Sequence, residues 1–170
     1  ELKMDSSVVI VIMELGMNLI TFSLFGDNPL YCQGAVENAN IARVIYPEWT
    51  ARFYVAQDVP EHYIEEIEGY GAEVVRCEKK NSYDGLNWRF RPLNEPDVEY
   101  WISRDADSRL SWRERNAVDE WIESDKSAHL LRDSHNHGYT IMAGMFGVNN
   151  KLFHERYGMI DLDNVNANYR

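Results

Sequence analysis

The stretch Tyr100-Trp101-Ile102-Ser103-Arg104-Asp105-Ala106-Asp107-Ser108-Arg109 decides the fold prediction, because an apolar segment runs directly into two carboxylates. Its first three residues are bulky and typical of a buried strand. Asp105 and Asp107 follow where such a strand leaves its sheet, and ligands of open α/β sheets bind at the carboxyl ends of strands. Two aspartates one residue apart can direct their oxygens to one hard cation. The stretch therefore predicts a site for a metal ion and phosphate. The alternative is a turn in which both carboxylates only accept backbone N–H bonds.

Strand and helix patterns alternate along the rest of the chain. Apolar runs predict further strands at 19–25, 52–56, 72–77 and 128–131. Helices are predicted from Asn28 to about Tyr46, from Pro60 to Gly69, over 86–93 as a short helix ending at Pro92, and from Ser111 onward. Repeated strand–helix–strand units indicate a mainly parallel sheet with right-handed crossovers. We therefore predict one α/β domain over 17–170, with helices flanking the sheet, after an extension of uncertain role at 1–16.

The composition excludes several classes of function. The formal net charge of −11 argues against a general nucleic-acid binder, although a nucleotide ligand stays possible where a cation reverses the local field. The chain has no apolar run of the roughly 20 residues that a membrane span needs. Its two cysteines, Cys32 and Cys77, are too few for a disulfide scaffold, which predicts reduced thiols and a cytoplasmic location. Neither a G-x-G-x-x-G fingerprint nor a Walker lysine motif is present.

The order of the motifs is more specific than the D-x-D alone. The motifs are Ser103 to Arg109, Arg113-Glu114, Ala117 to Trp121, His129 to Asp133, and Met142 to Gly147. Together they resemble a small group of GT-A-fold glycosyltransferases that includes the glycosyltransferase domain of a large chlorella-virus protein. The resemblance covers about residues 17–147 and implies a GT-A-like (Rossmann-like) domain.

The resemblance implies an activity and its cofactor. Such enzymes move a sugar, here as a hexosyl- or deoxyhexosyltransferase, from a nucleotide-diphosphate donor to a hydroxyl acceptor such as a glycan. The donor is usually UDP-linked, and a Mn²⁺ or Mg²⁺ ion is required. Asp105 and Asp107 would hold that ion against the diphosphate.

Further positions are carried over by the same resemblance. The end of the first strand, comprising Ser23, Leu24, Phe25 and Gly26, would lie beside the nucleobase. Arg89 occupies the place of an arginine over the sugar or the diphosphate. Ala143 and Gly144 resemble the small-residue strand start that contacts the donor sugar. A third metal ligand, commonly a His near the chain end, is expected, and His154 is the candidate.

Several roles stay open at the sequence level. Arg104 is either a phosphate contact or the partner of a neighbouring carboxylate. Arg89 either contacts the donor or only stacks on its aromatic neighbours. Asp133 could take the acceptor proton in an inverting enzyme or hydrogen-bond the sugar in a retaining one, and the alternative is a turn carboxylate paired to Arg132.

The remaining candidates have simpler structural explanations. His135 and His137 have the spacing of transition-metal ligands, but solvated loop histidines are the simpler interpretation. Asp27 and Asp58 could reach a nucleobase or ribose, whereas helix capping explains both more simply. The tryptophans Trp101, Trp112 and Trp121 are expected in the core, although an exposed tryptophan near the cleft would suit an acceptor sugar ring.

Two other functions remain in competition. A phosphohydrolase of the haloacid-dehalogenase kind also places D-x-D after an apolar strand, with the first Asp as a nucleophile. That class has its motif near the chain start, whereas here it lies at residue 105. A non-catalytic nucleotide- or carbohydrate-binding module would keep the cleft without turnover.

Overall fold

The central sheet is mainly parallel. The computed structural model describes residues 16–79, 84–132 and 141–160. Within these residues the strands are β1 (Met17–Leu24), β2 (Thr50–Ala56), β3 (Glu73–Cys77), β4 (Val98–Arg104), β5 (Ala128–Leu130) and β6 (Met145–Asn149). Their spatial order is β3-β2-β1-β4-β6-β5. The first four strands are parallel, and β6 runs antiparallel to both of its neighbours. The predicted α/β class with a mainly parallel sheet is confirmed.

Helices cover both faces of this sheet. They are α1 (Pro29–Ile45), α2 (Glu61–Gly69), α3 (Asp84–Asn87), the 3₁₀ segment (Trp88–Asn94), α4 (Trp112–Glu123) and α5 (Asn150–Tyr157). The predicted caps are present: Asn28 Oδ1 accepts from Leu30 N at 3.0 Å, and Ser111 Oγ accepts from Glu114 N at 3.3 Å. The short helix expected to end at Pro92 continues to Asn94 as the 3₁₀ segment. No helix of the described residues has the length and hydropathy of a membrane-spanning segment.

Strand β1 is buried on both faces, which explains its nearly continuous apolar run. Ile20 and Phe22 point toward α1, α2 and α4, where the Phe22 ring stacks on Phe53 at 4.5 Å between centroids. Leu19 points to the opposite face, which the 3₁₀ segment and α5 cover. The alternation also places the hydroxyl of Thr21 on the face of the 3₁₀ segment. Thus β1 packs in an apolar core on one side, and on the other it carries Leu19 in a second apolar cluster together with the hydroxyl of Thr21.

One core prediction is wrong. Trp101 and Trp121 are buried as expected, but the side chain of Trp112 is 59% exposed. The buried positions of α4 include Val118 and Trp121. Trp112 lies six residues before Val118, and at about 100° per residue it falls about 120° away around the helix. The first turn of α4 therefore presents Trp112 to solvent.

Candidate functional site

The two aspartates lie on one turn directly after β4. Ser108 N donates to Asp105 O at 3.2 Å and closes the turn. Ala106 between them is buried, whereas the Asp105 side chain is 45% exposed and Asp107 is exposed. The turn stands at the edge where the parallel strands β1 to β4 end, called the carboxyl edge below. Both carboxylates are therefore accessible to a ligand at this edge.

Helix α1 anchors this turn through a buried asparagine. The Asn38 side chain donates from Nδ2 to Ser108 O at 2.7 Å and to Ala106 O at 3.3 Å, and its Oδ1 accepts from Leu110 N at 3.1 Å. The residue is fully buried, so these bonds are shielded from water. Gly34, one turn earlier in α1, allows the close approach, because a Cβ there would lie 2.1 Å from Ala106 O. Sequence reasoning missed both residues, although a polar residue on the buried face of a helix and a glycine in its interior were the available signals.

Arg89 lies behind the turn and forms an ion pair with Asp105. Its Nη1 donates to Asp105 Oδ1 and, at 3.1 Å, to Arg104 O. Two hydroxyls of β1 hold the arginine backbone: Thr21 Oγ1 donates to Arg89 O at 2.8 Å, and Ser23 Oγ accepts from Arg89 N at 3.2 Å. The 3₁₀ segment is thereby fastened so that the guanidinium reaches the D-x-D.

Arg89 also makes the aromatic contact that the sequence left open. Its guanidinium carbon lies 5.7 Å from the centroid of the Phe90 ring. The residue is only 8% exposed, and its Nε is buried with no hydrogen-bond partner among the described residues. The stacking and the ion pair therefore coexist, and the Nε–H has no acceptor among the described residues.

The segment that precedes β6 closes against the same carboxylate. Ser103 Oγ donates to Ala143 O at 2.6 Å. A Cβ built on Gly144 would lie 2.0 Å from Asp105 Oδ2. Only glycine at position 144 leaves room for the Asp105 carboxylate as it stands. The small residues picked out by the resemblance thus lie beside the D-x-D.

Residues 23–26, which are predicted to border the nucleobase and are called the nucleobase strip below, end in a turn that a hydrogen bond and an ion pair hold in place. Gly26, with φ of 74°, donates its N–H to Asp58 Oδ1 at 2.8 Å. The Lys79 ammonium pairs with Asp58 and lies 5.5 Å from the centroid of the Phe25 ring. Burial opposes ionisation of Asp58, but the hydrogen bonds from Lys79 and Gly26 outweigh it and hold its pKa below the ordinary value of 3.8.

The prediction that Asp27 and Asp58 cap helices is wrong. Asn28 caps α1, so Asp27 is not needed there, and the N-cap position of α2 is Pro60, without a side-chain bond. Within the strip, the Leu24 side chain is buried and only its backbone can meet a ligand, whereas Ser23 and Phe25 are half-buried. Asp58 therefore joins the ends of β1 and β2.

Arg104 is the partner of a neighbouring carboxylate and not a phosphate contact, which settles the two roles that the sequence left open. It is 2% exposed, its Nε donates to Glu114 Oε1 at 2.7 Å, and its Nη1 donates to Ser103 O at 2.8 Å. His129 lies nearby, and burial, followed by the charge of Arg104, lowers its pKa to about 4. The Arg104 side chain therefore lies inside the fold between β4 and α4, and not at the carboxyl edge.

The described residues contain no complete metal-ligand set. No group of three His, Cys, Asp or Glu side chains among them could hold an ion. Both ring nitrogens of His154 face backbone carbonyls, with Nε2 2.5 Å from Leu93 O and Nδ1 3.2 Å from Gly158 O. Tyr100 pairs with Asn149, so α5 begins at the sheet edge opposite the D-x-D turn. His154 is thus engaged elsewhere.

Other predicted positions are not described. Asp133, His135 and His137 lie outside the described residues. Two cavities of about 570 and 210 Å³ are present, the first between α5 and the loop before β5, the second between α1 and α2. Neither is lined by Asp105 or Asp107. The described part of the site, at the carboxyl edge, is thus separate from both of these cavities.

Known proteins resemble this chain in fold. No protein-family model matches it, and no curated protein does. The mannosyltransferase PcManGT from Pyrobaculum calidifontis, solved with GDP-Man and Mn²⁺, superposes with a TM-score of 0.54 at 14% identity, over 85% of this chain and 48% of that chain. The galactosyltransferase LgtC, solved with donor and acceptor sugar analogues, gives 0.52 at 14% identity, over 90% of this chain and 63% of that chain.

These matches establish the fold alone. The chain is a single α/β domain like those GT-A-type glycosyltransferases, and it spans about half to two-thirds of their length. The more specific resemblance to the chlorella-virus domain remains a prediction.

Proposed function

We propose that this protein is a metal-dependent glycosyltransferase that moves a sugar from a nucleotide-diphosphate donor, expected to be UDP-linked, to a hydroxyl acceptor such as a glycan. The observation that carries the proposal is the pair of accessible carboxylates on the turn after β4, with Arg89 behind them. The GT-A-like fold supports it, since both neighbours described above are sugar transferases.

The charge balance at the carboxyl edge explains why an ion is needed. The described carboxylates at or near this edge include those of Asp27, Glu37, Asp58, Glu78, Asp105 and Asp107. Of the basic side chains there, Lys79, Arg89 and Arg109 are each already paired with one of these carboxylates. A donor diphosphate would therefore approach an edge with net negative charge, and a divalent cation reverses that field.

The residues present fit such an ion. Two aspartate oxygens are ligands that suit Mg²⁺ or Mn²⁺, and such ions commonly complete their shell with water and substrate phosphate. A bound ion supplies the positive charge that stabilises the departing nucleoside diphosphate. Asp105 and Asp107 would hold it, and Mn²⁺ or Mg²⁺ is therefore the proposed cofactor.

The other proposed roles rest on the resemblance and, for the described residues, on the contacts given above. Arg89 would reach the diphosphate or the donor sugar from behind the turn. Gly144 and Ala143 would leave space for the sugar beside Asp105. The backbone of 23–26 would border the nucleobase. Asp133 stays the proposed acceptor-side carboxylate.

Calorimetric titration with UDP- and GDP-sugars, with and without Mn²⁺, tests the proposal. In Asp105→Asn and Asp107→Asn, we expect metal-dependent donor binding to weaken at least about 100-fold, because each change removes a charged ligand of the ion. Asp97→Asn is the matched control, since Asp97 is exposed at the opposite edge, just before β4. Unchanged metal-dependent binding in either site variant would contradict the assignment.

A binding module without turnover is the second candidate. It would keep the accessible Asp105 and Asp107 and their contact with Arg89 without transferring the sugar. Release of free nucleotide from a bound donor, measured with excess acceptor glycans, separates the two functions. A dehalogenase-type phosphohydrolase would instead trap beryllofluoride on Asp105 without any nucleotide.

A further inference from the structure

Asp105 already has a cation beside it in the described structure, namely the Arg89 guanidinium. The two side chains are unequally exposed, with 45% of the Asp105 side chain accessible and only 10% of the Arg89 side chain. The carboxylate thus faces solution while its counterion stands behind it. Any cation arriving from solution meets a carboxylate that is already neutralised.

The guanidinium has little else to compensate its charge. Its Nη1 is shared between Asp105 and the carbonyl of Arg104, and its Nε is buried without a partner among the described residues. A buried arginine that loses its carboxylate is destabilised unless another anion replaces it. Reorientation of the guanidinium toward the carboxyl edge would give this Nε–H an acceptor, and the planar fork matches the geometry of a phosphate group.

We infer that Arg89 is an exchangeable counterion that strengthens the cooperative binding of the metal ion and the donor diphosphate. Without donor, Asp105 gives up part of its bond to Arg89 in order to bind the ion, so the ion binds weakly. When a diphosphate is present, Arg89 turns its charge to the phosphate oxygens and Asp105 is released to the ion. The inference rests on the proposed function, and it adds to the coupling that direct coordination of the ion by the diphosphate already gives.

Thermodynamic linkage between Mn²⁺ binding and UDP binding sets the expected change in affinity. Coupling between two ligands is reciprocal and commonly amounts to 5–150-fold, and a single charge-assisted pair corresponds to about tenfold. Arg89 should therefore contribute about tenfold to the rise in Mn²⁺ affinity that UDP causes, and by reciprocity about tenfold to the rise in UDP affinity that Mn²⁺ causes.

Arg89→Met removes the charge and keeps a long apolar side chain against Phe90. In this variant we expect Mn²⁺ alone to bind about tenfold more tightly than in the wild type, as measured by electron paramagnetic resonance of free Mn²⁺. The factor by which UDP raises the Mn²⁺ affinity should fall about tenfold relative to the wild type, because only the direct bond between diphosphate and ion remains. Arg89→Lys restores a positive charge and should retain most of the coupling.

Arg91→Met is the matched control. Arg91 lies in the same 3₁₀ segment, but its Nη1 contacts the Cys77 sulfur and its guanidinium lies over Trp88 and Tyr54, away from Asp105. Its Mn²⁺ affinity and UDP coupling should equal those of the wild type.

The outcomes distinguish failure of the counterion exchange from failure of the proposed function. Equal or weaker Mn²⁺ binding by folded Arg89→Met, or loss of coupling in Arg89→Lys, overturns the counterion exchange while leaving the proposed function intact. Failure of the wild-type protein to bind Mn²⁺ with or without UDP or GDP overturns both. Circular dichroism of each variant establishes that it is folded, and Arg89→Gln replaces Arg89→Met if the latter is not.

Discussion

Replacing Gly34 by alanine should destabilise the protein, although the same change in a helix interior usually stabilises. An alanine Cβ at this position would lie 2.1 Å from Ala106 O and 2.8 Å from Arg109 Nη1. Contacts of a Cβ under 3.0 Å are essentially never seen, so the turn would have to move by at least 0.9 Å. The obstacle is a backbone carbonyl, which cannot rotate away as a flexible side chain can. The movement would pull the turn off the Asn38 amide.

The magnitude follows from three contributions. Alanine in a helix is favoured over glycine by about 0.8 kcal/mol. Against this stand overpacking, at about 1–3 kcal/mol, and weakened buried hydrogen bonds of Asn38, at about 1 kcal/mol each. The net loss should be about 2 kcal/mol, which corresponds to roughly 4–8 °C in melting temperature for a chain of this size.

Gly69→Ala is the matched control, because no atom of the described residues lies within 4 Å of a Cβ at the end of α2. It should be neutral or stabilise by up to about 1 kcal/mol. Urea denaturation of both variants gives the two free energies. If Gly34→Ala is as stable as the wild type, the described contact between α1 and the D-x-D turn does not exist.

Two other perturbations test the buried polar cluster behind the site. Glu114→Ala leaves the charge of Arg104 buried without its carboxylate and should cost about 3–5 kcal/mol in urea denaturation, whereas exposed Glu123→Ala should change stability by less than about 0.5 kcal/mol. Lowering the pH should destabilise the protein through His129: its pKa of about 4 lies below the ordinary 6.5, so the unfolded chain takes up the proton first. The free energy of unfolding should fall by about 1–2 kcal/mol between pH 6.5 and pH 4, after allowance for partial solvation of the ring. His129→Phe should remove this slope of stability against pH, as measured in acid titrations of unfolding. An identical slope in His129→Phe would show that other groups carry it.

The strands and helices near the site were predictable because their signals are local. Apolar runs mark β1 and β4, and Asn28 and Ser111 cap the following helices through bonds that span two or three residues. Helix α5 was missed because its sequence is weakly patterned, and Asn149 caps it in a segment without an apolar stripe. Trp112 was placed wrongly because its residue type suggested the core, whereas its angle around α4 directs it to solvent.

The partners of the site residues were beyond sequence reasoning because they are distant along the chain. The bonds of Asn38 to the D-x-D turn join residues 68 to 72 positions apart, and the pair between Arg89 and Asp105 crosses two elements. Residue type alone left Arg104 with two possible partners. Only its burial beside Glu114 selects one of them.

The amino-acid sequence by itself determined the α/β class and the position of two aspartates after a buried strand, because apolar periodicity and helix caps act between near neighbours. Only the tertiary structure decided that Arg89 neutralises Asp105, that Asn38 and Gly34 seat the turn, and that Arg104 is turned into the core. Those outcomes depend on where side chains from separate elements meet, and packing against the sheet sets that meeting point.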